Sequence, residues 1–340
     1  MNISEKLNLY SLSRAIFVIA LAMAPAWSPS RLPAQSIAVG SPSTSYIFDA
    51  GRSSIRPLIG FAGSSFLGDA ALTGVQFASV APNGTSAVIV WPDRVEWVAD
   101  LSKYWESSSL IGGSLAAPNQ IFWDRTSSTA VFSSASERQV QFVQRTGGGF
   151  TLRTLAVPDS CTGTLKTLDA DAANALAAVL CTPDQQVATG GQNLFLLQPN
   201  AAPALVQLPS APVSAAFALN GAFYVAGVDS AISVIRTPAS SSTAELLFTE
   251  TENSTGAAAL LVRSTEQLLY SADSGQRRIR VYDLNSFQKV DDLDAGWAPT
   301  QFQPFLANSF LLNTGGTSSE PRLLLRTAPQ RSVLFVPAGE

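Results

Sequence analysis

Residues 268–290, LLYSADSGQRRIRVYDLNSFQKV, constrain the fold more than any other stretch of the chain. An apolar strand (Leu268, Leu269, Tyr270) leads through a small polar turn (271–276) into a second strand (278–282). Another turn follows at 283–286, and a third strand starts at Phe287. Ile279 and Val281 point one way and Arg280 and Tyr282 the other, the two-residue period of a half-buried antiparallel strand. A sheet this small cannot hide its own apolar face, so it needs neighbours of the same kind.

The neighbours are in the chain. The unit recurs at 46–60, 87–98, 130–143, around 194–197, at 222–235 and at 310–325, which with the opening stretch makes seven. The third-strand positions are Ile55-Arg56-Pro57-Leu58, Val95-Glu96-Trp97-Val98, Val140-Gln141-Phe142-Val143, Leu194–Leu197, Ile232-Ser233-Val234-Ile235 and 322–325. In the first unit Phe48-Asp49-Ala50-Gly51 is matched to Tyr270-Ser271-Ala272-Asp273. Innermost strands are expected before five of the units, at 75–80, 120–123, 165–168, 213–219 and 258–262, and outer strands at 150–155 and 205–208. Pro82-Asn83-Gly84-Thr85, 124–128 and Asn220-Gly221 supply turns, Asn-Gly between apolar runs being the strongest short hairpin signal. No helix is expected after residue 35. A period of about 40–50 residues is that of a four-stranded propeller blade; a tandem of β-sandwiches would group strands over about 100 residues. The expectation is an all-β chain, a seven-bladed β-propeller of four-stranded antiparallel blades. Residues 35–44 either supply the inner strand of the first blade or complete the last blade beside 332–336.

The first 34 residues read differently. Lys6 and Arg14 precede a short apolar run, 15–24, and Ala24-Pro25-Ala26 or Leu32-Pro33-Ala34 offers a cleavage site. That is a secretory signal. The alternative, a membrane anchor, needs about 20 apolar residues, and Pro25 ends the run too soon. Residues 1–34 are therefore expected to be signal peptide and leader, and 35–340 a single propeller, monomeric and secreted or periplasmic, with no membrane span after signal removal.

Export bears on the two cysteines, Cys161 and Cys181. Strands at 164–169 and 175–180, paired about Asp171, set Cys161 opposite Cys181, near bridging distance; the alternative is two buried thiols. A structural disulfide is expected.

At residues 270–283 the pattern Tyr270-Ser271-Ala272-Asp273-Ser274 and Arg278-Ile279-Arg280-Val281-Tyr282-Asp283 resembles the YVTN/NHL-like secreted β-propeller repeats of bacteria. The resemblance covers most of 45–340 as a strand pattern and is sharp only in this unit. It implies a propeller; since propellers host enzymes, binders and scaffolds, it implies no particular activity. No Gly-His and Trp-Asp pair marks a WD40 propeller.

The chain has no histidine. Ser-His-Asp triads and His-ligated zinc are thereby excluded, and the resemblance does not extend to streptogramin-lyase propellers, which use a histidine. Only 14% of residues are charged and the net charge is −4, so no basic stripe for nucleic acid exists. Gly147-Gly148-Gly149 lies between strands and reads as a turn. Asp169, Asp171 and Asn174 begin like a calcium loop, but Leu180 stands at the bidentate position, and a hairpin turn is the plainer reading. Asp291, Asp292 and Asp294 read as a solvated loop between blades. These acids leave room for a carboxylate-held divalent ion in a central tunnel, as in lactonase-like propellers. Of the tryptophans, Trp97 is expected in the core between blades. Trp105, beside Tyr104 in the polar stretch 102–109, is the aromatic most exposed, able to stack on sugar or peptide or else to pack between blades. No catalytic set and no cofactor are expected. The leading expectation is a binding module for a protein or carbohydrate ligand. The alternatives are a divalent-metal hydrolase of lactonase type and a structural envelope protein.

Overall fold

The computed structural model describes residues 45–61, 64–161, 163–182, 192–219, 222–235, 242–250, 257–306, 308–313 and 321–337. The signal reading, residues 35–44 and the Asn220-Gly221 turn lie outside them. The described strands form seven sheets in a ring, antiparallel but for one two-residue edge pairing, a seven-bladed β-propeller.

Blade 6 carries the defining stretch. Its innermost strand is Ala257–Arg263, followed outward by Leu268–Asp273, Arg278–Asp283 and Lys289–Asp294. Blade 2 repeats the order with Phe77–Val80, Ala87–Val90, Val95–Val98 and Ser108–Leu110, and blade 3 with Gln120–Trp123, Thr129–Ser134, Gln139–Thr146 and Gly149–Ala156. Blade 4 has Thr164–Asp171, Leu176–Thr182, Asn193–Leu197 and Ala204–Gln207, with the two residues Ser242–Thr243 added in parallel at its edge. Blade 5 has Pro212–Phe217, Phe223–Gly227, Ala231–Ile235 and Glu245–Thr249; blade 7 has Gln303–Pro304, Ser309–Leu311, Arg322–Arg326 and Ser332–Val336. In blade 1, Ser45–Asp49 pairs with Ser54–Phe61, which pairs with both Ser64–Leu67 and Leu72–Thr73.

The register corrects the alignment of the first unit. Ile47 faces Arg56 and Asp49 faces Ser54, as Ser271 faces Arg280 and Asp273 faces Arg278. Asp49 is thus the equivalent of Asp273, at the end of a strand and not in a turn. The third strand start expected at Phe287 also moves, to Lys289: the Phe287 N–H closes the turn onto the Asp283 carbonyl at 2.8 Å.

The core is divided into seven clusters, each at a junction between two blades. Ile279 and Val281 pack with Phe310 and Leu323 of blade 7, whereas Leu269 and Tyr282 pack with Tyr224 and Ile232 of blade 5. The strand expected to be half-buried is covered on both faces: Arg280 is 2% exposed and Tyr282 6%. Trp97 is buried as expected, edge to face with Trp123 of blade 3 at 4.8 Å. The seventh cluster closes the ring, joining Ile47, Leu58 and Leu67 of blade 1 to Phe305, Leu311, Leu324 and Val336 of blade 7.

Buried ion pairs tie blades where apolar contact stops. Arg280 reaches Asp273 at 3.1 Å and Glu250, at the end of blade 5, at 3.3 Å. Asp49 accepts from Arg56 of its own blade at 3.4 Å and from Arg322 of blade 7 at 2.9 Å. Helix is confined, among the described residues, to one four-residue turn, α1 (Tyr104–Ser107), and two short 3-10 turns.

Candidate functional site

The inner strands surround a central cavity of about 1150 Å³. Much of its wall is apolar: Phe77, Ile121, Phe122, Leu168, Leu261 and Phe302 line it and are all half-buried. The innermost strands of blades 4, 5 and 6 each carry a β-bulge, between Thr167 and Asp169, Pro212 and Ser214, and Ala257 and Ala259. A bulge inserts a residue and re-aims its neighbours, and the inserted Leu168, Val213 and Ala258 all line the cavity.

A closed cycle of hydrogen bonds holds blades 2 to 7 around this space. The Asn83 N–H donates to Ser127 Oγ at 3.1 Å, linking blade 2 to 3. Gln120 of blade 3 pairs its side-chain amide with both the N–H and the carbonyl of Thr167 in blade 4, each at 3.0 Å. The Phe217 N–H of blade 5 donates to Asp169 Oδ2 at 2.7 Å, and the Leu219 N–H to Ser264 Oγ of blade 6 at 2.9 Å. Arg263 Nη2 donates to Asn308 Oδ1 of blade 7 at 2.8 Å, and the Leu306 N–H returns to the Pro82 carbonyl of blade 2 at 3.0 Å. Such ties preorganise the wall, which lowers the ordering cost of binding.

Six acidic or basic side chains line the cavity: Arg125, Lys166, Arg263, Asp124, Asp169 and Asp171. Four are committed to local structure. Asp124 caps its own turn, accepting from the Ser128 N–H at 2.8 Å and the Thr129 N–H at 3.0 Å. Asp171 does the same for Ala173 and Asn174, at 3.0 and 3.2 Å. Arg263 is paired with Glu266 at 2.6 Å. Asp169 is half-buried, and burial raises its pKa to about 7, helped by the nearby Asp171 charge and opposed by the Phe217 N–H. Arg125 and Lys166 are exposed, and among the described residues neither makes an ion pair or side-chain hydrogen bond. Partial loss of water at the cavity wall, and then the positive charge of Arg263, lowers the pKa of Arg125, against the opposing pull of the Glu266 charge. The cavity's uncommitted charge at neutral pH is therefore positive.

The residues singled out in the sequence fall in several places. Cys161 and Cys181 are disulfide-bonded, with Cα atoms 5.4 Å apart. The register behind that expectation is corrected: Cys181 pairs with Leu165, and Cys161 lies before the strand. Asp169 and Asp171 both line the cavity, while Asn174 closes the Asp171 turn with its Nδ2 at 2.6 Å. Asp291, Asp292 and Asp294 stand on the outer strand of blade 6 rather than in a loop, Asp291 bonded to Arg331 and Asp292 to Arg278 and Lys289. Among the described residues no group of three or more Cys, Asp and Glu side chains is placed to hold a metal ion. No described helix is long and apolar enough to cross a membrane. Sequence reasoning missed Arg125, Lys166 and Arg263. The signal for Arg125 was present, since it sits in the turn read at 124–128, but nothing local says that this turn rims a cavity.

No protein-family model and no curated protein matches the sequence. Among solved structures, the chain is similar to a functionally unknown protein of Desulfotomaculum acetoxidans, at 9% identity over 87% of this chain and 99% of that one, with a TM-score of 0.53. It is similar also to a candidate 6-phosphogluconolactonase of Bacteroides fragilis, at 12% identity, 88% and 99% coverage and a TM-score of 0.51. A chain of the mitotic checkpoint complex matches at 12% identity, 82% and 81% coverage and a TM-score of 0.52. At these identities the likeness is one of fold, which is a propeller in every respect described above.

Proposed function

We propose that this chain is an exported propeller of the YVTN/NHL-like kind that serves as a binding module, holding an anionic ligand in its central cavity. The observation that carries this reading is the pair Arg125 and Lys166, two cations on the wall of a hydrogen-bonded cavity, neither of them held in an ion pair or side-chain hydrogen bond among the described residues. A carboxylate or phosphate would supply the missing partner, and charge-assisted hydrogen bonds are about twice as strong as neutral ones. The half-buried aromatic and aliphatic wall suits the carbon frame of such a molecule. The disulfide supports export, since such bonds persist in oxidising compartments.

Calorimetry with a panel of free carboxylates and phosphate esters tests it. At least one should bind with an affinity that falls as salt rises, and Arg125→Ala with Lys166→Ala should weaken it about tenfold or more, roughly 1.4 kcal/mol. If no probe binds, or the double variant binds equally well, the reading fails. Turnover of a lactone, dependent on calcium or magnesium, would put the lactonase-type hydrolase in its place.

A further inference from the structure

A second site lies away from the cavity, on the connection between the third and outer strands of blade 2. Trp105 is 88% exposed, the most exposed large apolar side chain among the described residues. A tryptophan so exposed is unusual. A floppy loop would make it unremarkable, but this connection is bound at every step. The Leu101 N–H donates to the Thr85 carbonyl at 2.9 Å, and the Asp100 side chain caps the turn by accepting from the Ser102 N–H at 3.0 Å. Ser107 Oγ donates to the Asp100 carbonyl at 2.6 Å. The neighbouring Tyr104 is only 8% exposed, and its hydroxyl donates to Glu96 Oε2 at 2.7 Å. Glu96 also accepts from Trp91 Nε1 at 3.0 Å and from Arg94 Nε at 2.8 Å. The buried ring of Tyr104 meets Trp105 edge-on, at 4.9 Å and 71°. The fold thus holds one face of an indole in water on a braced support.

The surroundings tell what that face fits. Lys103, Glu106 and Ser109 are exposed and Ser108 half-exposed, and among the described residues none of the four has a side-chain hydrogen bond. A protein hot spot is an aromatic set in a desolvated apolar core. Here a single flat ring stands in a polar turn whose exposed Lys103 and Glu106 are uncommitted and of opposite sign; Leu110, 62% exposed, is the other large apolar side chain exposed in this stretch. A sugar ring has that mixed character, one face of C–H groups and an edge of hydroxyls. We propose that Trp105 is the stacking platform of a saccharide site, with Lys103 and Glu106, from the same turn, bonding the hydroxyls. This site does not depend on the cavity and its ligand.

The test titrates the full chain with cello-, chito- and manno-hexaose, read by saturation-transfer NMR. At least one should bind, with transfer strongest to the protons of one sugar face. Trp105→Ala should weaken it about tenfold or more, a loss of roughly 1.4 kcal/mol, with Trp105→Phe retaining part of the affinity and Arg125→Ala retaining all of it. Mild N-bromosuccinimide oxidation of the unmutated chain gives a second reading: Trp105 should be modified first, and the bound sugar should protect it. No binding by any hexaose, binding unchanged in Trp105→Ala, or Trp105-dependent capture of a protein with no sugar bound would each overturn the proposal.

Discussion

Asp169 shows how one side chain can be structural and sensitive at once. It spans two blades through the Phe217 N–H, yet its carboxyl is held near 7 by burial and by Asp171. A carboxyl whose folded pKa lies above its ordinary 3.8 stabilises the fold fully only below that ordinary value, and the contribution is lost as pH rises through about 7. Asp169→Asn keeps an acceptor for Phe217 and has no charge to desolvate. It should therefore melt higher than the parent at about pH 8 and close to it at about pH 4, by thermal scans at both. The ceiling is ~4 kcal/mol, from three pKa units at ~1.4 kcal/mol each, less whatever the cavity water screens. Arg280 has the opposite character. Buried with Asp273 and Glu250, it is a charge the protein cannot lose without stranding two carboxylates.

Between residue and ring stands the hairpin, and blade 4 shows what governs it. The turn at Asp171 was legible because Asp and Asn cap turns with their own side chains. The register was not, because the bulge between Thr167 and Asp169 shifts all pairing beyond it. Cys161 reaches Cys181 from the segment entering the blade, and both sulfurs are buried in the cluster between blades 3 and 4. The bond closes a loop with a sequence separation of 20, worth about 3 kcal/mol in the chain-entropy model. Cys161→Ser with Cys181→Ser should lower the melting temperature accordingly, by several degrees in a chain of this size. An unchanged melt would mean that the cluster alone holds this entry segment.

At the scale of the whole molecule, stability is shared. No blade owns its core: each cluster takes side chains from two blades, and Asp49, paired with Arg56 of its own blade, gains its second arginine only when Arg322 arrives from the far end of the chain. Ending the chain at Pro321 would remove Leu324 and Val336 from the closing cluster, Leu323 and Leu325 from the one before it, and Arg322 from Asp49. Such a chain should lose its cooperative thermal transition altogether. A six-bladed remnant with a sharp melt, by circular dichroism, would refute this interdependence. The ring also explains why strands read as half-buried are covered on both sides. A blade has a neighbour to left and right, so Arg280 and Tyr282, facing away from Ile279, meet blade 5 instead of water.

What the amino-acid order alone determined is what short-range physics controls. Alternating residues make strands, Asn, Asp and Gly make turns, and their recurrence counts seven blades and places five inner strands. What only the tertiary structure decided is which surfaces meet. Trp97 and Trp105 are the same residue eight positions apart, yet one is sealed against Trp123 and the other stands in water. Arg125 and Arg263 come from different blades to one cavity. A strand's period says that a face will be covered. Only closing the ring says by what, because burial depends on distances through space that no local pattern encodes.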